Sequence, residues 1–193
     1  MQPTSDSDKP TRRPKKKRKI ASVVSITPYL PKPQPGTPVP VPPQAPQSST
    51  WATAYTDASY SRGRAGWAVW LRSGYGRIVL AGQCPEYVED SMAAETYAVY
   101  KAIEIATSNW RLDGMQVNTD CGAILKSFWP WSPPLKNPVH RKIQKMALRA
   151  AAENGIHIRT KHVKAHTRGD DVRSYLNSRV DELSKKKRRE VDR

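Results

Sequence analysis

The chain changes character at about residue 50, because 12 of its 17 prolines lie before that point. Proline fixes φ and removes a backbone donor, so a segment this rich in it builds neither helix nor central strand. Between Pro28 and Pro46 it alternates mainly with Val, Gln, Lys and Thr, the composition of a disordered, semi-extended linker. Any core must therefore come from residues 51–193, with residues 1–50 expected to form a basic, proline-rich tail. The run Arg12-Arg13-Pro14-Lys15-Lys16-Lys17-Arg18-Lys19 opens that tail.

Charge points to the kind of partner. The formal net charge is +16; nine basic and two acidic residues give the tail +7, leaving +9 for residues 51–193. Both parts favour a polyanion, since each neutralised phosphate releases condensed counterions. Nucleic acid is the first candidate, and an anionic membrane surface the second. No apolar run approaches the length of a spanning helix or resembles a secretory h-region. Cys84 and Cys121 are too few for a disulfide scaffold and lack zinc-ligand spacing, so reduced thiols in an intracellular protein are expected.

From Trp51 onward the pattern is that of a folded domain. Ala52–Asp57 reads as a strand ending on a carboxylate. Gly66–Leu71 and Arg77–Ala81 are apolar, β-prone runs separated by Ser73-Gly74-Tyr75-Gly76. Asp90 or Ser91 can cap a helix reaching about Thr107. Met115–Asp120 has the period of a strand, and a short helix is expected over Gly122–Phe128. Four prolines make Pro130–Pro138 a loop. Val139–Asn154 is amphipathic and stops at Gly155; Ile156–Lys164 is a fifth strand; Leu176, Val180 and Leu183 stripe a closing helix. The order β-β-β-α-β-α-α-β-α implies an α/β fold with one mixed sheet and helices packed on it.

Four acids stand out by position within these elements: Asp57 and Asp120 at strand ends, Glu95 one turn into the first long helix, and Asp181 beside Val180 in the last helix. Any one alone is compatible with a turn cap, a solvated helix glutamate or a pair with a nearby lysine. A fold that brings them together would make a cradle for divalent cations, because Mg²⁺ prefers carboxylate oxygen. Two such ions roughly 4 Å apart serve phosphodiester hydrolysis by activating water and stabilising the leaving oxygen.

Five short motifs occur in sequence: Thr56-Asp57-Ala58-Ser59, Met92-Ala93-Ala94-Glu95, Thr119-Asp120, Val163-Lys164-Ala165-His166-Thr167, and Asn177 with Val180-Asp181-Glu182-Leu183. In this order and spacing they resemble the successive signatures of ribonuclease H type 1, over nearly all of residues 52–185. The resemblance implies a ribonuclease H-like fold. Its five-stranded mixed sheet would have the first three strands as an antiparallel meander and the fourth and fifth parallel to the first. It also implies an endonuclease that cuts the RNA strand of RNA–DNA hybrids without sequence readout, with two Mg²⁺ ions as cofactors and Mn²⁺ as a possible substitute. Asp57 would bridge both ions. Glu95 and Asp120 would complete the site nearer the leaving side, and Asp181 would hold the ion that activates water. His166 would assist proton movement or product release, while Ser59, Ser91 and Asn177 would touch substrate.

The match departs from the family pattern at its rim. Ser59-Tyr60-Ser61-Arg62-Gly63-Arg64 replaces a longer Gly-rich turn, and Asp90-Ser91-Met92 stands where paired asparagines are common. Trp129-Pro130-Trp131-Ser132-Pro133-Pro134 occupies the place of a basic protrusion, and its tryptophans would stack on nucleic acid or cover the core. The basic tail and Lys185-Lys186-Lys187-Arg188-Arg189 are expected to supply non-specific grip on nucleic acid. Pro14–Lys19 also looks like a nuclear signal, implying a nuclear protein in a eukaryotic host and a cytoplasmic one otherwise. A monomer is expected. The alternatives are a DNA-directed nuclease such as a resolvase or integrase, and a binding protein that keeps the fold without catalysis.

Overall fold

In the computed structural model, residues 50–128, 132–163 and 172–190 are described. Five strands form one sheet: β1 (Trp51–Ser61), β2 (Arg64–Ser73), β3 (Gly76–Gln83), β4 (Gly114–Thr119) and β5 (His157–His162). Their order is β3-β2-β1-β4-β5, with β1–β3 antiparallel and β4 and β5 parallel to β1. Three α-helices accompany them: α1 (Ser91–Asn109), α2 (Pro138–Glu153) and α3 (Val172–Arg189). This is the mixed sheet expected from the element order.

The alternation of strand residues divides the core between the two faces. Ala52, Ala54, Trp67, Val69 and Leu71 pack with Val99, Ala102 and Ile103 of α1 and Ala147 of α2. Tyr55 and Ala68 point the other way, where Leu176, Val180 and Leu183 of α3 cover them. Alanines at 93, 94, 98, 102 and 106 are buried along α1, and their small side chains permit close contact on two sides. On the opposite face, Gly66 of β2 permits the closest approach. A Cβ there would run into the Ser184 carbonyl and the Arg188 amide of α3. That glycine lets α3 lie directly on the β1–β2 pair.

Several boundaries differ from those expected. β1 does not end on Asp57 but runs to Ser61, because Ser61 pairs with Arg64 across a two-residue turn. Arg62 and Gly63 both have positive φ, 51° and 73°, the backbone of a type I′ turn that matches strand twist. The segment Ser59–Arg64 is therefore hairpin, not loop. The Gly122–Phe128 helix shrinks to one 3₁₀ turn, Gly122–Ile124. Pro138 belongs to α2, where a missing N–H is harmless at the first turn, and Asn137 caps it by accepting from Val139 N and His140 N. Lys185–Arg189 is not a free arm. It continues α3, with Lys187 buried and paired to Glu190 and Lys185 paired to Asp181. No helix among the described residues is long and apolar enough to cross a membrane.

Candidate active site

The centre of the sheet sets the geometry. β1 and β4 are parallel neighbours, registered from Trp51↔Gly114 to Tyr55↔Asn118, and the Asn118 amide donates to Ala54 O at 2.8 Å. Two residues beyond that last pair lie Asp57 and Asp120. Beyond this point β1 continues alone along β2 to Ser61 while β4 ends at Thr119, leaving a crevice where the parallel pairing stops, the place at which open α/β sheets bind ligands. Glu95 reaches the crevice from the second turn of α1. That helix is held in place by its cap, since Asp90 Oδ1 accepts from Ala93 N at 2.7 Å. The His140 ring of α2 sits 2.8 Å from the other Asp90 oxygen, tying the starts of the two helices together.

Asp57, Glu95 and Asp120 each present a carboxylate oxygen within 4.8 Å of the others. Asp57 is only 4 % exposed, and burial, with Asp120 and Asp181 nearby, pushes its carboxyl up to about 7. Burial also holds the Glu95 carboxyl well above the ordinary range, reinforced by Asp57 and Asp120 and partly offset by the Ala58 backbone N–H. Glu95 Oε2 is buried without a hydrogen-bond partner among the described residues. Three converging acids, two with strongly suppressed ionisation and one with an orphaned oxygen, fit a divalent cation that would supply the missing positive charge. Burial pushes the Cys84 thiol up to about 12 and also raises Cys121, in both cases reinforced by Glu95, so neither offers a thiolate here. The donor set is hard oxygen.

Asp181 stands apart from this triad. Both its oxygens are held by Lys185 Nζ one helical turn on, at 2.7 and 2.8 Å, while its charge still raises Asp57 and Glu95. Asn177, a turn before Asp181, is buried, and its amide nitrogen lies 3.3 Å from Asp120 Oδ2 while its Oδ1 has no partner among the described residues. Ser59 is buried in β1 opposite Gly66, and Ser91 is the exposed first residue of α1. His166, the loop after it, Trp129 and Trp131 lie outside the described residues, as do the basic tail and its Pro14–Lys19 run.

One residue near the acids had no sequence signal. Ser184 is fully buried, and its Oγ lies 2.5 Å from Asp57 Oδ2 and 2.9 Å from Asp181 O. Its hydroxyl lowers the Asp57 carboxyl against the larger effect of burial. Nothing in the α3 sequence marks it, because the contact depends on how closely Gly66 lets the helix approach.

The family model for RNase H matches residues 49–189, which spans the whole described sheet and its helices. The chain belongs to the RNase H family. Solved RNase H structures share its fold at low identity. RNase H1 from the halophilic archaeon Halobacterium salinarum NRC-1 is 20% identical with a TM-score of 0.52, covering 71% of this chain and 96% of its own. LC11-RNase H1, solved in complex with an RNA/DNA hybrid, is 18% identical with a TM-score of 0.54, over 71% of this chain and 96% of its own. The prototype foamy virus protease-reverse transcriptase also aligns, at 20% identity and a TM-score of 0.55, through 81% of this chain and 23% of its own. Compared by sequence alone, no curated protein matches. Within an RNase H fold, then, Asp57 and Asp120 lie just past the last parallel pair of β1 and β4, and Glu95 joins them from α1.

Proposed function

We propose that this RNase H protein is a metal-dependent endonuclease that hydrolyses the RNA strand of RNA–DNA hybrids independently of sequence. The convergence of Asp57, Glu95 and Asp120, with the orphaned Glu95 oxygen among them, is the observation that carries this reading. Two Mg²⁺ ions held by these acids and Asp181, with Mn²⁺ as a substitute, would activate water and neutralise charge on the leaving oxygen.

The chain's own groups divide the remaining work. Asp57 would contribute to holding the cations, with one of its oxygens fixed by Ser184. Glu95 and Asp120 complete the leaving side. Asp181, now paired with Lys185, would help hold the cation that activates water. His166 relays a proton or eases product release, and Ser59, Ser91 and Asn177 serve the sugar–phosphate surface. Requiring 2′-hydroxyls on the cut strand excludes DNA.

The test is one labelled oligonucleotide presented as hybrid, RNA duplex and DNA duplex, with Mg²⁺, Mn²⁺ or EDTA. Cleavage of the hybrid alone, lost in EDTA, is expected. Cleavage of duplex DNA would instead mark a DNA-directed nuclease, and no cleavage with any ion a binding protein. The protein acts as a monomer in this account, and its tail adds non-specific affinity. Deleting residues 1–50 should raise KM about tenfold and flatten its salt dependence; a KM unchanged at every salt concentration would refute the tail's role. In a eukaryotic cell Pro14–Lys19 would direct the protein to the nucleus, checked by fluorescence imaging after its lysines are changed to alanine.

A further inference from the structure

The stretch from Cys121 to Ala152 contains Lys126, Lys136, Arg141, Lys142, Lys145 and Arg149 but no Asp or Glu. Four of these cations lie on α2 and are exposed there. Solvated helix faces ordinarily mix both signs, with pairs at i,i+4 relieving like-charge repulsion. On α2 the one such relief is Arg149 with Glu153 at the helix end, an exposed pair 2.7 Å apart. Lys142 lies over the Tyr87 ring, 4.5 Å from its centre, and Arg141 donates to Leu135 O and Lys136 O, which hold those two cations in place. Lys145 has no ionic partner among the described residues. With Pro138 and Met146, the four α2 cations line one shallow groove.

The position of this face bears on what it meets. Its first turn is joined to the start of α1 through His140 and Asp90, and Glu95 lies five residues farther along α1. The row Arg141–Lys145–Arg149 then follows the helix for about 12 Å, at about 1.5 Å rise per residue. A nucleic-acid strand carries one charge about every 3.4 Å along the duplex axis, so the row can face three or so successive phosphates.

We propose that the outer face of α2 is a docking surface for the sugar–phosphate backbone of the duplex whose RNA strand enters the acidic crevice. This rests on the hybrid reading above. It adds a grip that reads charge without sequence, built into the folded domain and separate from the N-terminal tail. The groove's single-sign charge and its continuity with the α1 terminus favour a polyanionic duplex over a protein partner.

The test uses the full chain and reads binding, so it does not depend on cleavage. Anisotropy of a fluorescent hybrid in EDTA would be titrated from about 50 to 200 mM salt for the wild type, Lys145→Gln/Arg149→Gln, and a control pair, Arg72→Gln/Arg77→Gln, on the β2–β3 ribbon. Removing two phosphate contacts should make the loss of affinity across that range about tenfold shallower, and the control pair should not. Glu153→Gln, which frees Arg149, should tighten binding and steepen the salt dependence. Thermal melts of each variant separate docking from misfolding. Equal salt slopes for the α2 pair and the control pair, with Glu153→Gln unchanged, would overturn the proposal and leave an acidic protein as the face's partner. Altered slopes without hybrid cleavage would instead refute the nuclease reading while sustaining this one.

Discussion

The crevice between β1 and β4 and the outer face of α2 carry opposite charge under opposite conditions. In the crevice, Asp57, Glu95 and Asp120 are crowded into partial or near-complete burial, and burial raises both Asp57 and Glu95. On α2, Arg141, Lys142, Lys145 and Arg149 stand in water. Buried like charges cost a great deal and are relieved by protonation or by a cation at close range; exposed ones cost little and respond to salt. The first region should therefore answer to metal and to single-atom changes, the second to ionic strength and net charge. One terminus, where His140 meets Asp90, joins them.

The sharpest way to break this contrast is Asp57→Asn. It should lower hybrid cleavage by about a thousandfold or more while leaving hybrid affinity in EDTA near that of the wild type. Undiminished turnover would show that the crevice is not the site.

Next in size is the pH dependence of the metal-free protein. The folded-state value for Asp57 lies near 7, above its ordinary 3.8, so the folded state holds that proton more tightly than the unfolded chain. Its contribution to stability is present in full below about 4 and is lost as pH rises towards 7, amounting to as much as a few kcal/mol. Glu95 is shifted in the same direction. In EDTA, Tm should fall across that window, and Mg²⁺ added above pH 7 should restore it. A Tm that rises with pH through the same window would contradict the buried-acid account.

Ser184→Ala sharpens the contrast inside the crevice. It removes the hydroxyl 2.5 Å from Asp57 without touching the outer face, so kcat should fall about tenfold to a hundredfold with KM little changed. Ser184→Thr, which keeps the hydroxyl, should recover part of that loss. The smallest effect concerns the joint between the regions. Asp90→Ala removes the α1 cap and the His140 contact and should cost about 1 kcal/mol of stability in urea titrations.

Periodicity made most of the fold legible. The apolar runs at Gly66–Leu71 and Arg77–Ala81 are strands, and the alanine-rich helix after Asp90 begins where its cap places it. The end of β1 was hidden because its type I′ turn is made by Arg62-Gly63 and not by the more recognisable Asn-Gly. Pro138 looked like loop for the same reason that it suits a helix start: proline lacks an N–H. In the site, the acids could be singled out because each stands at or near a strand end or on a helix facing the core. Ser184 could not, since its contact with Asp57 depends on how close α3 lies to Gly66, whereas the Lys185–Asp181 pair is a local i,i+4 contact of the kind the sequence offers. Within the basic run 185–189, the burial of Lys187 against the sheet side of α3 is likewise invisible to a count of charges.

The central claim, that the β1–β4 crevice is a cation site, is tested most directly by calorimetric titration of Mg²⁺ into the substrate-free protein near pH 7, run in two buffers of different ionisation enthalpy. Saturable binding with proton release is expected, because burial pushes the Asp57 carboxyl up to about 7 and a cation arriving there displaces its proton, and Asp57→Asn should weaken it severely. Binding that releases no protons and is unchanged in Asp57→Asn would place the cation elsewhere and contradict the account.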